Sequence, residues 1–457
     1  MDFGPGMASS ARYGGMVAIL KRPVVIILIA GLLIRFVLMP VFSYGYEVSH
    51  WAYTIENIRS GNGLYEISGY YYTPVWGYIL GAVSWIMDVF GLDTLASRFD
   101  EVLPLQDAWW ACIADVTTIQ FNIIVTLPLI FCDILVGYLI YRMVREDTGD
   151  ERKAAVGFAL WFLCPIVIFA SSVQAMFDTF CVLFMVLSIF LLRRQRYLLC
   201  GVAMALAILT KVFPGFLLLA LLAYILAKNR GNRPEAVRAV ALLAAGLIIT
   251  SVLVYIPQIM DGTFLYSFSF LTDRMGIGLS SSGEWSIFSM QSLGFMLVII
   301  LQPIIVLALI GLAYLQYKES GDPDSALMRF LLPASAVIFL WTPSPQYTLI
   351  VIPFLAYYIS VHGRAFLSQW MLVGVGATMY DLVTANGTVL FSLAAYTDLL
   401  DLGGLVEAIL SFQSASFLGI HVMSILMVAT AAVMSLGLLL IPYGFVVRPW
   451  LKRRAAS

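Results

Sequence analysis

Residues 193–228 read RRQRYLLCGVAMALAILTKVFPGFLLLALLAYILAK, two apolar runs flanked by Arg193, Arg194 and Arg196 on one side and Lys228 on the other. Lys211-Val212-Phe213-Pro214 interrupts them. A helix crossing a hydrocarbon core of about 30 Å needs about 20 apolar residues. The 14 residues from Tyr197 to Thr210 climb only about 21 Å. Basic clusters mark one side of a bilayer, so the chain rises from that side, turns at Lys211 short of the far surface, and returns. A lysine there stands at the floor of a recess that opens to the far side. An ammonium at that depth is costly unless it meets protein, a water-filled cavity or an anion such as a lipid phosphate. The plainer alternative is a lysine reaching up to the lipid headgroups.

The rest of the chain agrees with a bilayer. Of 457 residues, 61% are apolar and 12% charged, against about 45–50% and about 25% in soluble domains. Mean hydropathy is +0.92. This composition leaves too little polar surface for a soluble globule and excludes a secreted, disordered or nucleic-acid-binding protein. The net charge of −1 says nothing about partners, because the charges are sorted by side. Cys112, Cys132, Cys164, Cys181 and Cys200 have no metal or redox spacing and read as small hydrophobes. The first apolar run, from Pro23 to Val41, is long enough to span and lacks a small-residue cleavage site, so a spanning helix is expected there rather than a signal peptide.

Apolar runs fall near 23–41, 118–142, 155–170, 174–192, 198–211, 213–228, 237–256, 293–316, 326–342, 346–361, 366–385 and 416–445. They predict an all-α, polytopic transmembrane helix bundle of about twelve spans. A cytoplasmic N-terminus puts Arg12, Lys21, Arg22, Arg142, Arg145, Arg152, Lys153, Arg193, Arg194 and Arg196 inside. It does the same for Lys228, Arg230, Arg233, Arg238, Lys318, Arg329, Arg364, Arg448, Lys452, Arg453 and Arg454. That is 21 of the 26 basic residues, the bias expected of cytoplasmic loops. An even span count returns the C-terminus to the cytoplasm. Two long loops, 42–117 and 257–292, then lie outside and are rich in acidic and aromatic residues. Residues 74–92 are apolar enough to span, but crossing there would strand Arg142 to Lys153 outside, so this stretch reads as interfacial or re-entrant. Carriers usually keep loops short and bind at the midplane, whereas an enzyme working at the outer surface needs such loops.

Several residues in these loops and turns suit chemistry. Glu47 follows the first span in Tyr44-Gly45-Tyr46-Glu47-Val48-Ser49-His50-Trp51, a setting for a base that takes a proton from a hydroxyl. A solvated loop carboxylate is the alternative. His50 lies one helical turn away, and two such residues are too few for a metal site. Arg35 sits inside the first span, where an arginine faces protein, a cavity or, by snorkelling, the headgroups. Gln174 and Asp178 occupy the outer turn after Cys164-Pro165. Asp178 lies a turn into the next helix and needs a partner, structural or catalytic. Arg274 and Glu284 lie in the glycine- and serine-rich second loop, whose Gly276-x-Gly278 lacks the strand-turn-helix setting of a nucleotide motif. Pro343-Ser344-Pro345-Gln346-Tyr347 is a tight outer turn, and Asn386-Gly387-Thr388 is a weak glycosylation-type sequon.

In chain order these pieces resemble the GT-C superfamily of membrane glycosyltransferases. The likeness is in particular to the catalytic subunit of GPI mannosyltransferase I and to prokaryotic polyprenyl-phosphate-mannose-dependent mannosyltransferases. It is carried by Tyr65 with Tyr72-Thr73-Pro74, by Cys132-Asp133-Ile134-Leu135 running to Tyr141-Arg142, and by Trp161 to Pro165 followed by Gln174 and Asp178. Lys211-Val212-Phe213-Pro214 and Ser344-Pro345-Gln346-Tyr347 complete it. The resemblance covers roughly residues 23–361, a catalytic module (1–361), and leaves 362–457 as further transmembrane helices that no motif places. It departs from the family pattern at Glu47, where aspartate is commoner, at Cys164, where asparagine is usual, and at Ala175, where glycine is usual.

The resemblance implies an inverting transfer of a hexose, mannose first among them, from a polyprenyl- or dolichyl-phosphate sugar to a lipid-linked or glycan acceptor on the extracytoplasmic side. Glu47 would be the base. Lys211, Arg35 and Arg274 would hold the donor phosphate, and His50, Trp51, Tyr72, Gln174, Asp178, Glu284 and Gln346 would line the sugar and acceptor site. No metal or cofactor is expected. Partners would be membrane lipids and a small membrane subunit, with no nucleic acid. The location would be the plasma membrane in a prokaryote or the endoplasmic reticulum in a eukaryote. Two competing readings are a carrier or lipid flippase using Arg35, Asp178 and Lys211 as buried charges, and a non-catalytic assembly subunit.

Overall fold

The computed structural model describes residues 23–65, 70, 72–98, 115–268, 290–340 and 344–447, the side chains of 290–301 apart. The described chain is helical almost throughout. α1 (Pro23–Leu38) leads to α2 (Gly45–Arg59) and α3 (Pro74–Val89). A short antiparallel pair, β1 (Leu95–Arg98) with β2 (Asp115–Thr117), joins these to α4 (Ile119–Thr148). Then follow α5 (Glu151–Phe162), α6 (Pro165–Ser172), α7 (Asp178–Arg193) and α8 (Tyr197–Ile208). A 3₁₀ turn, Phe213–Leu217, opens α9 (Leu218–Lys228), and α10 (Arg233–Met260) returns. α11 (Met290–Lys318), α12 (Pro323–Phe339), a 3₁₀ turn at Pro345–Ile350, α13 (Ile352–His362) and α14 (Leu367–Ala385) come next. α15 (Phe391–Tyr396), α16 (Leu402–Ser414), a two-residue β pair and α17 (Val422–Pro442) close the chain.

The ends of these helices are set by local chemistry. Thr118 accepts the Phe121 amide at the start of α4, 3.1 Å away, and Asp150 accepts the Arg152 amide at the start of α5, 2.7 Å away. Asp322 does the same for the Ser325 amide at α12. Each satisfies an amide that the first helical turn leaves open. Gly149, at φ +68°, stops α4 in the left-handed conformation that glycine adopts without strain.

Three described helices are long and apolar enough to cross a membrane: Ile119–Thr148, Arg233–Met260 and Val422–Val446. α5 and α6 together make a fourth, bent by 51° at the break before Pro165. Other apolar runs form shorter helices, Pro23–Leu38, Pro74–Val89, Tyr197–Ile208, Phe213–Lys228 and Gln302–Lys318. Full-length helices therefore do not account for the expected twelve spans. Proline at Pro165 divides what hydropathy reads as one continuous run, 155–170.

Small residues let the helices pack closely. On α8 and α10, a Cβ added to Gly201 would meet the Leu243 carbonyl at 2.1 Å, and one on Gly246 the Leu198 carbonyl at 2.2 Å. The two backbones touch, as small residues permit. α14 and α17 meet the same way at Gly376 and Gly437. α14 also packs against α6 and the Pro345–Ile350 turn, so residues beyond 361 are not set apart from those before it. Asn386 ends α14 at φ +49° and is only 8% exposed, which places its side chain out of reach of a glycosylating enzyme in the folded chain.

Candidate active site

The bend at Tyr72-Thr73-Pro74 is held by two phenols. The Tyr65 hydroxyl donates to the Tyr72 carbonyl at 2.6 Å, and the Tyr70 hydroxyl donates to the Thr73 carbonyl at 2.8 Å. Burial pushes the Tyr65 phenol above its ordinary range, so both stay protonated donors. α3 thereby starts beside the end of α8, where the Val75 amide reaches the Leu209 carbonyl at 3.3 Å. The Tyr78 hydroxyl ties the same helix to α10 through the Val254 carbonyl and Gln258.

The chain from Val173 to Phe177 makes a sharp turn in which Ala175 takes φ +51°. That conformation strains any residue with a Cβ. α2 is laid across the turn: the Tyr44 amide donates to the Val173 carbonyl at 2.8 Å, and Trp51 Nε1 donates to the Ala175 carbonyl at 3.0 Å. Trp51 then faces Tyr72, Trp76 and Phe177 at 5.6–5.9 Å between ring centres. Trp76 stacks on Phe177 at 5.5 Å.

Lys211 follows α8 and meets Asp178, the first residue of α7. Nζ lies 2.6 Å from Oδ2, and the side chains are 2% and 3% exposed. The ammonium also lies 4.5 Å from the Tyr347 ring centre, 4.7 Å from Phe177 and 6.0 Å from Tyr72. Ring faces attract a cation, so one carboxylate and an aromatic box hold this charge below the bundle's end.

Arg35 is committed elsewhere. Its Nε and Nη2 donate to Asp133 Oδ2 at 3.1 and 2.8 Å, its Nη1 donates to the Phe162 carbonyl at 2.9 Å, and both charged side chains are fully buried. The Thr179 hydroxyl donates to the other Asp133 oxygen at 2.5 Å, and Trp161 Nε1 donates to the Asp133 carbonyl at 2.9 Å. The expected donor-phosphate cation is thus engaged by Asp133 and the Phe162 carbonyl in this structure. It clamps α1, α4 and α5 together, and Thr179 on α7 joins the same cluster through Asp133.

Glu47 stands half-buried in the first turn of α2. Its carboxyl and that of Asp381 both act on Tyr44, whose phenol is held above its ordinary range by burial first, then by Glu47 and Asp381. Asp381, on α14, also faces Asp178, and its carboxyl hydrogen-bonds the Gln174 side chain. His50 and Trp51 follow one turn after Glu47, and Gln346 accepts from the Ser344 hydroxyl at 2.6 Å beside Tyr347. The structure thus draws Glu47, Tyr72, Gln174, Asp178 and Lys211 to one end of the bundle around Trp51 and Phe177. Arg274 and Glu284 lie outside the described residues. Asp381, Phe177 and Trp76 were not assigned to the site from sequence, and Tyr347 was read only as part of the Pro343–Tyr347 turn. Asp381 had a usable signal, a lone carboxylate in an apolar helix.

Residues 112–256 match the family of dolichyl-phosphate-mannose-protein mannosyltransferases. This segment holds Asp133, Trp161 to Pro165, Gln174, Asp178 and Lys211. No curated protein matches the chain. The crystal structure of ArnT from Cupriavidus metallidurans bound to undecaprenyl phosphate is similar at 17% identity and a TM-score of 0.48, over 93% of this chain and 78% of that one. The apo structure of the same protein gives 16% and 0.46 over the same shares.

Proposed function

We propose that this protein is an integral-membrane, inverting glycosyltransferase. It moves a hexose, mannose being the first to test, from a polyprenyl- or dolichyl-phosphate sugar to a lipid-linked or glycan acceptor at the extracytoplasmic face, with both termini cytoplasmic. One observation carries the reading. The buried Lys211 ammonium sits in an aromatic box at the tip of a shortened helix, paired with Asp178, inside the segment that matches the mannosyltransferase family.

The chemistry follows from charge. As the glycosidic bond breaks, its electrons pass to the lipid phosphate, whose oxygens gain negative charge. A fixed cation in a dry recess stabilises that charge more in the transition state than in the ground state. The acceptor hydroxyl attacks from the opposite face and must lose its proton, which Glu47 takes. One carboxylate suffices, because the phosphate is already a good leaving group. This differs from a glycosidase, where two carboxylates flank the bond. Arg274 is proposed as a further phosphate ligand and Glu284 as a ligand for sugar or acceptor. The test is purified protein with labelled polyprenyl-phosphate mannose and crude membrane lipid. Transfer of label to a lipid product supports the reading. Movement of lipid across a vesicle wall with no transfer would favour the carrier instead.

A further inference from the structure

Asp381, on α14, feels the charges of Glu47 and Asp178, and α14 packs against α6 and the Pro345–Ile350 turn. Asp178 pairs with Lys211, and Glu47 is the proposed base. Asp381 has neither task. It is 4% exposed, and Oδ2 has no hydrogen-bond partner among the described residues. Its one side-chain partner, Gln174, is 2% exposed, and the Gln174 Oε1 is likewise without a partner. An amide that turns its N–H toward a carboxylate leaves its own oxygen free. Two buried oxygens, Asp381 Oδ2 and Gln174 Oε1, are therefore left without a hydrogen-bond partner among the described residues.

A buried acceptor without a donor is penalised for the water it has lost. Two such oxygens accept hydrogen bonds from a ligand rich in hydroxyl groups. We propose that Asp381 and Gln174 bind two hydroxyl groups of the hexose being transferred, so that α14 supplies the sugar-recognition element of the site. The inference rests on the glycosyltransferase reading and goes beyond it, since it names the groups that recognise the sugar. Their placement fits the donor sugar rather than the acceptor. Gln174 lies four residues before Asp178 in one turn, closed by the Met176 amide on the Ala170 carbonyl at 2.8 Å. Asp178 holds Lys211, the proposed phosphate ligand, and the transferred sugar is bonded to that phosphate. Other charged or titratable groups near Asp381 are Glu47, Asp178, Tyr44 and Tyr380.

The test compares binding of polyprenyl-phosphate mannose and of bare polyprenyl phosphate to the full-length protein, wild type against Asp381→Leu. The wild type is expected to prefer the sugar-bearing lipid. The variant should lose about tenfold of that preference and keep its affinity for the bare lipid. Donors lacking one sugar hydroxyl should bind the wild type about tenfold more weakly and the variant no more weakly than the parent donor. Where Asp381→Leu no longer binds the bare lipid, Gln174→Met carries the same comparison. Full retention of the preference overturns the inference, as does equal loss of both lipids by both variants. A wild type that prefers neither lipid overturns the glycosyltransferase reading itself.

Discussion

The Lys211 ammonium lies 2.6 Å from the Asp178 carboxylate, although the two residues are 33 apart in sequence, and almost no water reaches either side chain. The lysine ends one shortened helix and the aspartate begins another, so neither helix can shift along its axis without parting the pair. Taking two charges out of water consumes most of what their attraction returns. The pair is therefore better explained by what it holds ready than by the stability it adds.

Lys211→Met leaves a buried carboxylate alone and should destabilise the protein by about 3–5 kcal/mol. The double variant Lys211→Met with Asp178→Leu should recover most of that loss, because no unpaired charge remains. It should still bind polyprenyl phosphate far more weakly than wild type. Thermal unfolding in detergent and lipid binding separate the two effects. A double variant with normal phosphate affinity would remove Lys211 from the donor site.

Arg35→Met is expected to lower stability by a similar amount, about 3–5 kcal/mol, since Asp133 loses its cation in a site with no exposure. The folded fraction should bind polyprenyl phosphate as wild type does, because the guanidinium is used by Asp133 and the Phe162 carbonyl. Loss of phosphate affinity in well-folded Arg35→Met would restore it as a direct ligand.

Much of the site was legible because depth in a membrane is readable from length and charge alone. The 197–210 run is too short to cross, and the structure ends α8 at Ile208 with Lys211 buried beyond it. Asp178 was read as needing a partner, and Lys211 supplies it. Arg35 was legible as a buried cation but not as to its partner, since Asp133 is 98 residues away and sequence gives no measure of that contact. Asp381 escaped because its helix matched no motif, although a carboxylate between Tyr380 and Leu382 in an apolar run asks the same question as Arg35. Hydropathy gave no sign of the break at Pro165, where the 155–170 run is bent by 51°.

Single cysteines at Asp150 and Asn232 should react with a membrane-impermeant thiol reagent only from the cytoplasmic side, in a background lacking the native cysteines. Both positions adjoin the basic clusters that set orientation. Labelling of either position in sealed, right-side-out membranes would invert the proposed topology and move the Lys211 recess to the cytoplasm.

Glu47→Gln tests the base directly. The glutamine keeps the size of the side chain and most of its hydrogen bonding but cannot take a proton. α2 should stay docked, because the Tyr44 amide and the Trp51 indole hold it to the 173–177 turn. A positioned base contributes about 10²–10⁴-fold, so turnover should fall by that factor while donor affinity and thermal stability hold. The partition is informative, since lost donor binding would mark Glu47 as a ligand rather than a base. Asp178 and Asp381 are the other carboxyls near the site and give the necessary control. Asp178→Asn should weaken the hold on Lys211, and with it donor binding, and Asp381→Asn should shift sugar preference more than turnover. Should Glu47→Gln remain fully active while Asp178→Asn is dead, the proton goes to Asp178, and the role proposed for Glu47 is wrong.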